Sequence, residues 1–187
     1  MSEITFHSKP FKIEGIQIPE IVLTKGKLVR LYIPNLIKKD VHKDLKLRII
    51  NHFQNKDHVP WAKNFSSNSL IEKLYPLTVE RYLLRVMKLD KYLAIQAIEE
   101  IEVNFEDRFH YLDHIKKRAL IIKANFLKYD VILFDYYAIG ALGIKFIENV
   151  VNTEIKKGKS AIAFDILQYM EDYEPFSNIQ RITVDLK

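Results

Sequence analysis

Cysteine is absent from the 187 residues, which excludes disulfides, thiolate metal sites and a cysteine nucleophile together. Glycine is scarce, at 5 positions. That scarcity bears on phosphate chemistry, because loops that wrap phosphate use glycine for positive φ and close backbone approach. The opening stretch MSEITFHSKPF carries no apolar signal core, and no run approaches the ~20 apolar residues of a membrane span. A cytoplasmic location is expected, peripheral at most to a membrane complex.

Nearly half the residues, 48%, are hydrophobic, enough for one sizeable core and short of two. A single domain over residues 1–187 is therefore expected. The net charge of +5 is modest, and its lysines are interleaved with acids. A solvated basic surface explains it better than a phosphate-neutralising face, so nucleic-acid binding is not expected.

The densest signal is DVILFDYY, Asp130 to Tyr137, an apolar run that delivers Asp135 to its carboxyl end. Such runs are buried parallel strands, and ligands of open α/β sheets gather at that edge. Around it the elements alternate. Ile13 to Leu23, with Gly15 and Pro19, predicts edge strands or a hairpin; after a Lys25-Gly26 turn, Leu28 to Ile33 predicts a central strand. Asp40 is placed to cap a helix from Val41, with Val41, Leu45, Ile49 and Phe53 on one face.

Asn55 to Ser69 reads as irregular, interrupted by Val59, Pro60 and Trp61. A short helical piece at Leu70 to Leu74 precedes a helix introduced by Pro76 and Thr78 and running through Met87. Lys91 to Ile101 continues helical after Asp90. Helices over Ile115 to Phe126 and Ile144 to Ile155 flank the strand Val131 to Phe134. A strand from Ala161 to Phe164 ends on Asp165, followed by a helix over Ile166 to Asp172 and a last strand, Arg181 to Leu186. This order predicts a layered α/β domain with a mostly parallel sheet and a helical insertion.

The order and spacing resemble the nucleotide-binding domain of ATP-binding cassette (ABC) ATPases. TKGKLVRLYIPN resembles that family's turn and strand leading into the P-loop, and LTVERYL, Leu77 to Leu83, the phrase that opens its helical subdomain. Tyr111 to Asp135 resembles the signature region, its helix and the Walker B strand, while KKGKSAIAFDIL and NIQRITVDL resemble the switch strand and the one after it. The similarity runs from about Phe11 to the end and implies a P-loop fold with a helical subdomain at residues 66–115.

The motifs depart from the family pattern. The P-loop position, Ile33 to Val41, keeps Lys39 but no glycine, and Asp40 adds negative charge. The glutamine of the second strand falls near Trp61, and the glycine-rich signature turn becomes Leu112-Asp113-His114-Ile115. The Walker B acid is kept as Asp135, but Tyr136 stands in place of the catalytic glutamate, and Ile166 in place of the switch histidine. Together these losses remove the positioning and charge stabilisation that phosphoryl transfer needs. Gly158-Lys159-Ser160 spells GKS, but it lacks the upstream glycine and precedes a strand, so it is a helix-stop turn.

Other groupings carry simpler readings. His110 and His114, beside Asp107 and Asp113, have two-ligand spacing on a helix but no evident third ligand. Asp135 and Asp165 end adjacent strands and are the metal candidates, although a structural ion-pair network with Lys39 or another base at that edge is favoured. Tyr111, Phe126, Tyr129, Phe134, Tyr136 and Tyr137 could stack bases but fit packing better. The basic group Lys38, Lys39, Lys43, Lys46 and Arg48 is interleaved with Asp40 and Asp44 as a solvated face would be.

The resemblance thus implies a catalytically degenerate ABC ATPase-like protein acting as a binding or regulatory subunit, with no catalytic residue and no cofactor expected. Its expected partner is a second copy, an ABC-type ATPase or a membrane component. Lys39 and Asp135 mark a vestigial nucleotide site, and Tyr136 and Tyr137 plug the cleft or contact the partner. One alternative is an ATP-binding component of an ABC transporter or related assembly with residual nucleotide binding, with ATP and Mg²⁺ as its cofactors; a second is a nucleic-acid-binding module, which rests on charge and aromatics alone.

Overall fold

Four apolar runs rich in β-branched and aromatic residues, each too short for a stable helix, pair side by side: β5 (Leu28–Pro34), β6 (Val131–Asp135), β7 (Ser160–Leu167) and β8 (Ile179–Thr183). All three pairings are parallel and the order is β6-β7-β5-β8. The computed structural model describes residues 3–34, 39–65, 76–136, 139–167 and 179–185. It divides into two units, one from Met1–Trp61, Val131–Ala138 and Glu154–Lys187, the other from Ala62–Asp130 and Ile139–Thr153.

The first unit holds the sheet. Side chains alternate between the faces of a strand, so the register sorts every residue. Leu31 pairs with Phe164, and Phe164 with Asp135, placing Val29, Leu31, Ile33, Ile162, Phe164, Leu133 and Asp135 on one face. Helix α1 (Lys39–Asp57) covers that face with Leu45, Ile49 and Phe53, all buried in one cluster with the strand residues. The apolar stripe at i,i+4 spacing explains the docking.

Before β5, two antiparallel ribbons close the same cluster. Strand β1 (Ile4–Ser8) pairs with β4 (Ile21–Thr24), and β2 (Phe11–Ile13) with β3 (Ile16–Ile18). The β2–β3 turn has only Glu14 and Gly15, both at positive φ, 49° and 88°. A two-residue hairpin loop that matches strand twist requires this, and glycine adopts it without steric cost. Phe6 meets Phe53 edge-on at 5.4 Å, and Phe11 stacks on His52 at 3.8 Å.

Helices make up the second unit. Thr78 caps a single turn, α2 (Val79–Arg81), which widens at once into a π-turn over Tyr82–Val86; α3 (Lys91–Ile101) is capped by Asp90, whose carboxylate accepts from Leu93 N at 2.8 Å. Helix α4 (His114–Lys128) buries nine consecutive residues, Arg118 to Phe126. A helix buried all round must satisfy its polar side chains internally. Arg118 donates to Ala62 O and to Asn64 Oδ1, Lys123 pairs with Glu100, and Asn125 donates to Ile121 O at 2.8 Å.

Nearby, Tyr82 stacks on Phe109 at 4.2 Å, with Phe65 edge-on to both. Helix α5 (Ala141–Lys156) starts in this unit; a Cβ on its Gly143 would stand 2.8 Å from Ile115, so only glycine fits there.

Several boundaries differ from the sequence reading. Helix α1 starts at Lys39 and not Val41, so Asp40 lies inside the helix and is not its cap; the helix also runs through Asn55 to Asp57. Strand β7 continues past Asp165 to Leu167, which replaces the start of the helix expected at Ile166, because the whole of β5 to Pro34 offers a pairing edge. The last strand starts at Ile179 and ends at Thr183. The helical piece expected at Leu70 to Leu74 lies outside the described residues.

Candidate functional site

The carboxyl ends of β5, β6 and β7 bring the candidate residues to one edge. Lys39 opens α1 just beyond β5, although its side chain, like residues 35–38 and Tyr137, falls outside the described residues. Asp135 is the last residue of β6, buried, on the face that α1 covers. From α1, Lys46 reaches it: Nζ lies 2.8 Å from Asp135 Oδ2, with the two side chains 14% and 8% exposed. Lys46 follows Leu45 at the margin of the apolar stripe, so its aliphatic stem lies along the core while the ammonium reaches the strand end.

Asp165 behaves differently. It pairs with Tyr32 of β5, and Asp135 pairs with Phe164, one residue out of step. Because strand side chains alternate, the two acids point to opposite faces of the sheet. This corrects the shared metal site considered for Asp135 and Asp165. They do end up in ion pairs, but in two separate ones.

On the second face lie Arg30, Tyr32, Phe134, Tyr136 and Asp165. Arg30 is 1% exposed, in the middle of the central strand. Its NH1 stands 3.7 Å from Asp165 Oδ2, its NH2 donates to the Tyr136 hydroxyl at 3.4 Å, and its guanidinium carbon sits 5.1 Å from the Tyr136 ring centre. Phe134 meets Tyr136 edge-on at 5.3 Å. Burial pushes the Tyr136 phenol up to about 12, with Arg30 opposing and Asp165 and Tyr32 adding to the rise. The hydroxyl is therefore a neutral phenol at physiological pH that accepts from Arg30, and it is not poised as a base.

The remaining candidates fall elsewhere. His110 lies in a short 3₁₀ turn, Phe109–Tyr111, and His114 begins α4, so they do not share a helical face as their spacing suggests; among the described residues no group of three or more His, Asp or Glu could hold a metal. Asp113 caps α4 by accepting from Ile115 N at 2.9 Å and Lys116 N at 3.3 Å. Both N–H groups are thus occupied by the chain itself. Trp61 forms a parallel bridge with Leu133, and Pro60 O accepts from Leu133 N at 2.8 Å.

The GKS triplet is structural: Ser160 Oγ accepts from Gly26 N at 3.2 Å and donates to Thr24 O at 3.1 Å. Of the aromatics, Phe126, Phe134 and Tyr136 are buried and cannot stack on bases, while Tyr111 is exposed beneath Arg108. In the basic group, Lys46 serves Asp135, and Arg48 pairs with Asp44 and Glu14 at 2.6 and 3.0 Å.

Arg30 escaped the sequence reading, yet a signal was available. An arginine in the run LVRLY, between two apolar pairs of a central strand, requires an internal partner. Lys46 was legible as a member of the basic group, but not as the partner of Asp135, since only the docking of α1 brings them together.

The fold family implies Mg²⁺ and nucleotide; among the described residues, the two acids at this edge do not fit a shared Mg²⁺ site. Asp135 already faces an ammonium, Asp165 faces the other side of the sheet, and a buried phenol follows Asp135 in place of a carboxylate.

No protein-family model matches the sequence, and no curated protein does. Solved structures do. A structure of MJ1267, an ATP-binding cassette of an ABC transporter, aligns with a TM-score of 0.67 at 12% identity, over 98% of this chain and 90% of that one. A nucleotide-free ATP-binding cassette from an ABC transporter gives 0.61 at 12% identity, over 88% and 81%. An ATP-binding subunit of an ABC transporter gives 0.54 at 15%, over 79% and 71%. The chain therefore has the mixed α/β fold, with a four-stranded parallel sheet, of the P-loop domains of ABC ATPases.

Proposed function

We propose that this protein is a catalytically degenerate ABC ATPase-like subunit that acts by binding rather than by turnover. The observation that carries the reading is Tyr136. Where the family places the glutamate that orients water, this chain has a buried phenol, held by Arg30 on the face opposite Asp135. Neither its protonation state nor its direction suits activation of water beside Asp135. The occupied N–H groups at the start of α4 and the absence of glycine between Ile33 and Val41 support the same reading.

In this reading the protein works in the cytoplasm as one half of a face-to-face pair, with a second copy, an active ABC ATPase or a membrane component as partner, and Tyr137 contributes to that surface. Among the described residues no helix is long and apolar enough to cross a membrane. The second reading, an ATP-binding component in which Lys39 and Asp135 still engage nucleotide, rests on α1 beginning at Lys39 as the next described element after the central strand, which ends at Pro34. Mg-ATP turnover decides the first point: we expect none above background. Appreciable turnover that vanishes in Asp135→Asn overturns the proposal. A thermal shift with Mg-ATP in the absence of turnover favours the second reading.

A further inference from the structure

We infer that Lys46 is a resident cation, which supplies from within the chain the positive charge that Walker B aspartates of this fold receive from a bound metal. The inference rests on the degenerate reading above and extends it: the Asp135 carboxylate is neutralised by the chain itself.

Three observations carry it. The ammonium stands 2.8 Å from Asp135 Oδ2, at full charge-assisted hydrogen-bond contact. Both side chains are largely withdrawn from water, at 14% and 8% exposure. The pair therefore differs from an exposed ion pair that forms and breaks freely. The geometry is also built by both elements. The register places Asp135 with Leu133 on the α1 face, and α1 is pinned there by Leu45 and Ile49, the apolar neighbours of Lys46. In P-loop enzymes the Walker B aspartate helps hold Mg²⁺. Here a compact ammonium with three donors neutralises that carboxylate, and no exchange with solvent ions is needed.

Removing the ammonium alone takes from a buried carboxylate the cation that stands 2.8 Å from it. An external divalent cation is then a hard-oxygen partner that can restore the balance. In the full chain, Lys46→Met is expected to melt below wild type and to regain part of the loss in millimolar Mn²⁺. Wild type is expected to show no Mn²⁺ shift. The double variant Lys46→Met/Asp135→Asn, a neutral pair, is expected to melt above Lys46→Met and to ignore Mn²⁺. Equal Mn²⁺ responses in Lys46→Met and the double variant, or no response in either, overturn the inference.

Should Lys46→Met fail to fold, Mn²⁺ binding to wild type and to Asp135→Asn, followed by electron paramagnetic resonance, decides instead. The expectation is identical curves, and Mn²⁺ bound by wild type but lost in Asp135→Asn overturns the inference. ATP turnover by wild type bears on the proposed function and leaves these metal readouts separate.

Discussion

The two faces of the parallel sheet solve one problem in two ways. Each holds an acid near its carboxyl edge, Asp135 buried and Asp165 partly so, with a cation beside it, yet on the α1 face the cation comes from a helix, and on the other it comes from the central strand itself. Lys46 meets Asp135 as a direct pair at 2.8 Å. Arg30 is spread over more partners, Asp165 at 3.7 Å and the Tyr136 hydroxyl at 3.4 Å. A lysine on a flexible stem suits a point-charge pair at a margin, whereas a planar guanidinium can serve an acid and an aromatic ring at once. The first arrangement determines what Asp135 can bind; the second determines what Tyr136 can do.

Replacing Arg30 should break this comparison most severely. Arg30→Met removes the cation from a fully buried position and leaves Asp165 and the phenol without it, so a loss of about 3–5 kcal/mol in chemical denaturation is expected. Arg30→Lys should recover only part, because an ammonium cannot reach both partners in the same geometry. If Arg30→Met costs no more than a surface substitution, the second face is not held by this cation.

Asp135→Asn is expected to cost less, about 1.5–3 kcal/mol, since the amide retains an acceptor for Lys46, which sits near enough to the margin to regain solvent. A loss larger than that of Arg30→Met would reverse the ranking of the two faces.

Tyr136→Phe tests the hydroxyl, which accepts from Arg30, separately from the ring. The hydrogen bond is long, at 3.4 Å, and the stack remains, so the cost should be about 1 kcal/mol or below. The same residue predicts an alkaline signature. A phenol whose value rises from 10.0 to about 12 on folding favours the protonated form in the native state. Its contribution is therefore present below pH 10.0 and is lost as the pH rises through the window to about 12. Ultraviolet titration of wild type should show a late-ionising tyrosine that Tyr136→Phe removes, beside Tyr82, whose phenol burial also raises and which the variant leaves in place.

The smallest effect lies on α1, at His52, which stacks on Phe11. Burial and the neighbouring Lys56 hold it below its ordinary 6.5, with Asp57 opposing. A depressed histidine contributes stability that is present above pH 6.5 and fades as the pH falls toward the folded-state value. The resonances of the β2–β3 hairpin should follow the titration of His52, and those of Arg30 and Asp165 should not. A matching response on both faces would show that the two are not independent.

Much of the fold was visible before the structure. Leu28 to Ile33 reads as a central strand because nothing but Arg30 interrupts its apolar run. Asp90 and the apolar spacing after it read as the helix that is present, and Ile13 to Leu23 reads as edge strands or a hairpin, although the two-residue turn at Glu14-Gly15 was not legible there. Boundaries were less legible where pairing or packing overrode local cues, as at Asp40 inside α1 and at Ile166 in β7. At the site, Asp135 and Tyr136 were named correctly as neighbours in sequence, but adjacent residues of a strand face opposite sides, and their separate fates follow from that alone.

By itself, the sequence determined that no glycine stands between Ile33 and Val41 and that a tyrosine rather than a carboxylate directly follows Asp135, because these are matters of which atoms are present. It also determined the alternation of strands and helices, through the periodicity of apolar residues. Only the tertiary structure decided that Asp135 and Asp165 are parted by the sheet and that Lys46 and Arg30 neutralise them. Strand register and helix docking join residues distant along the chain, and a shift of one residue in register would have placed both acids on the same face.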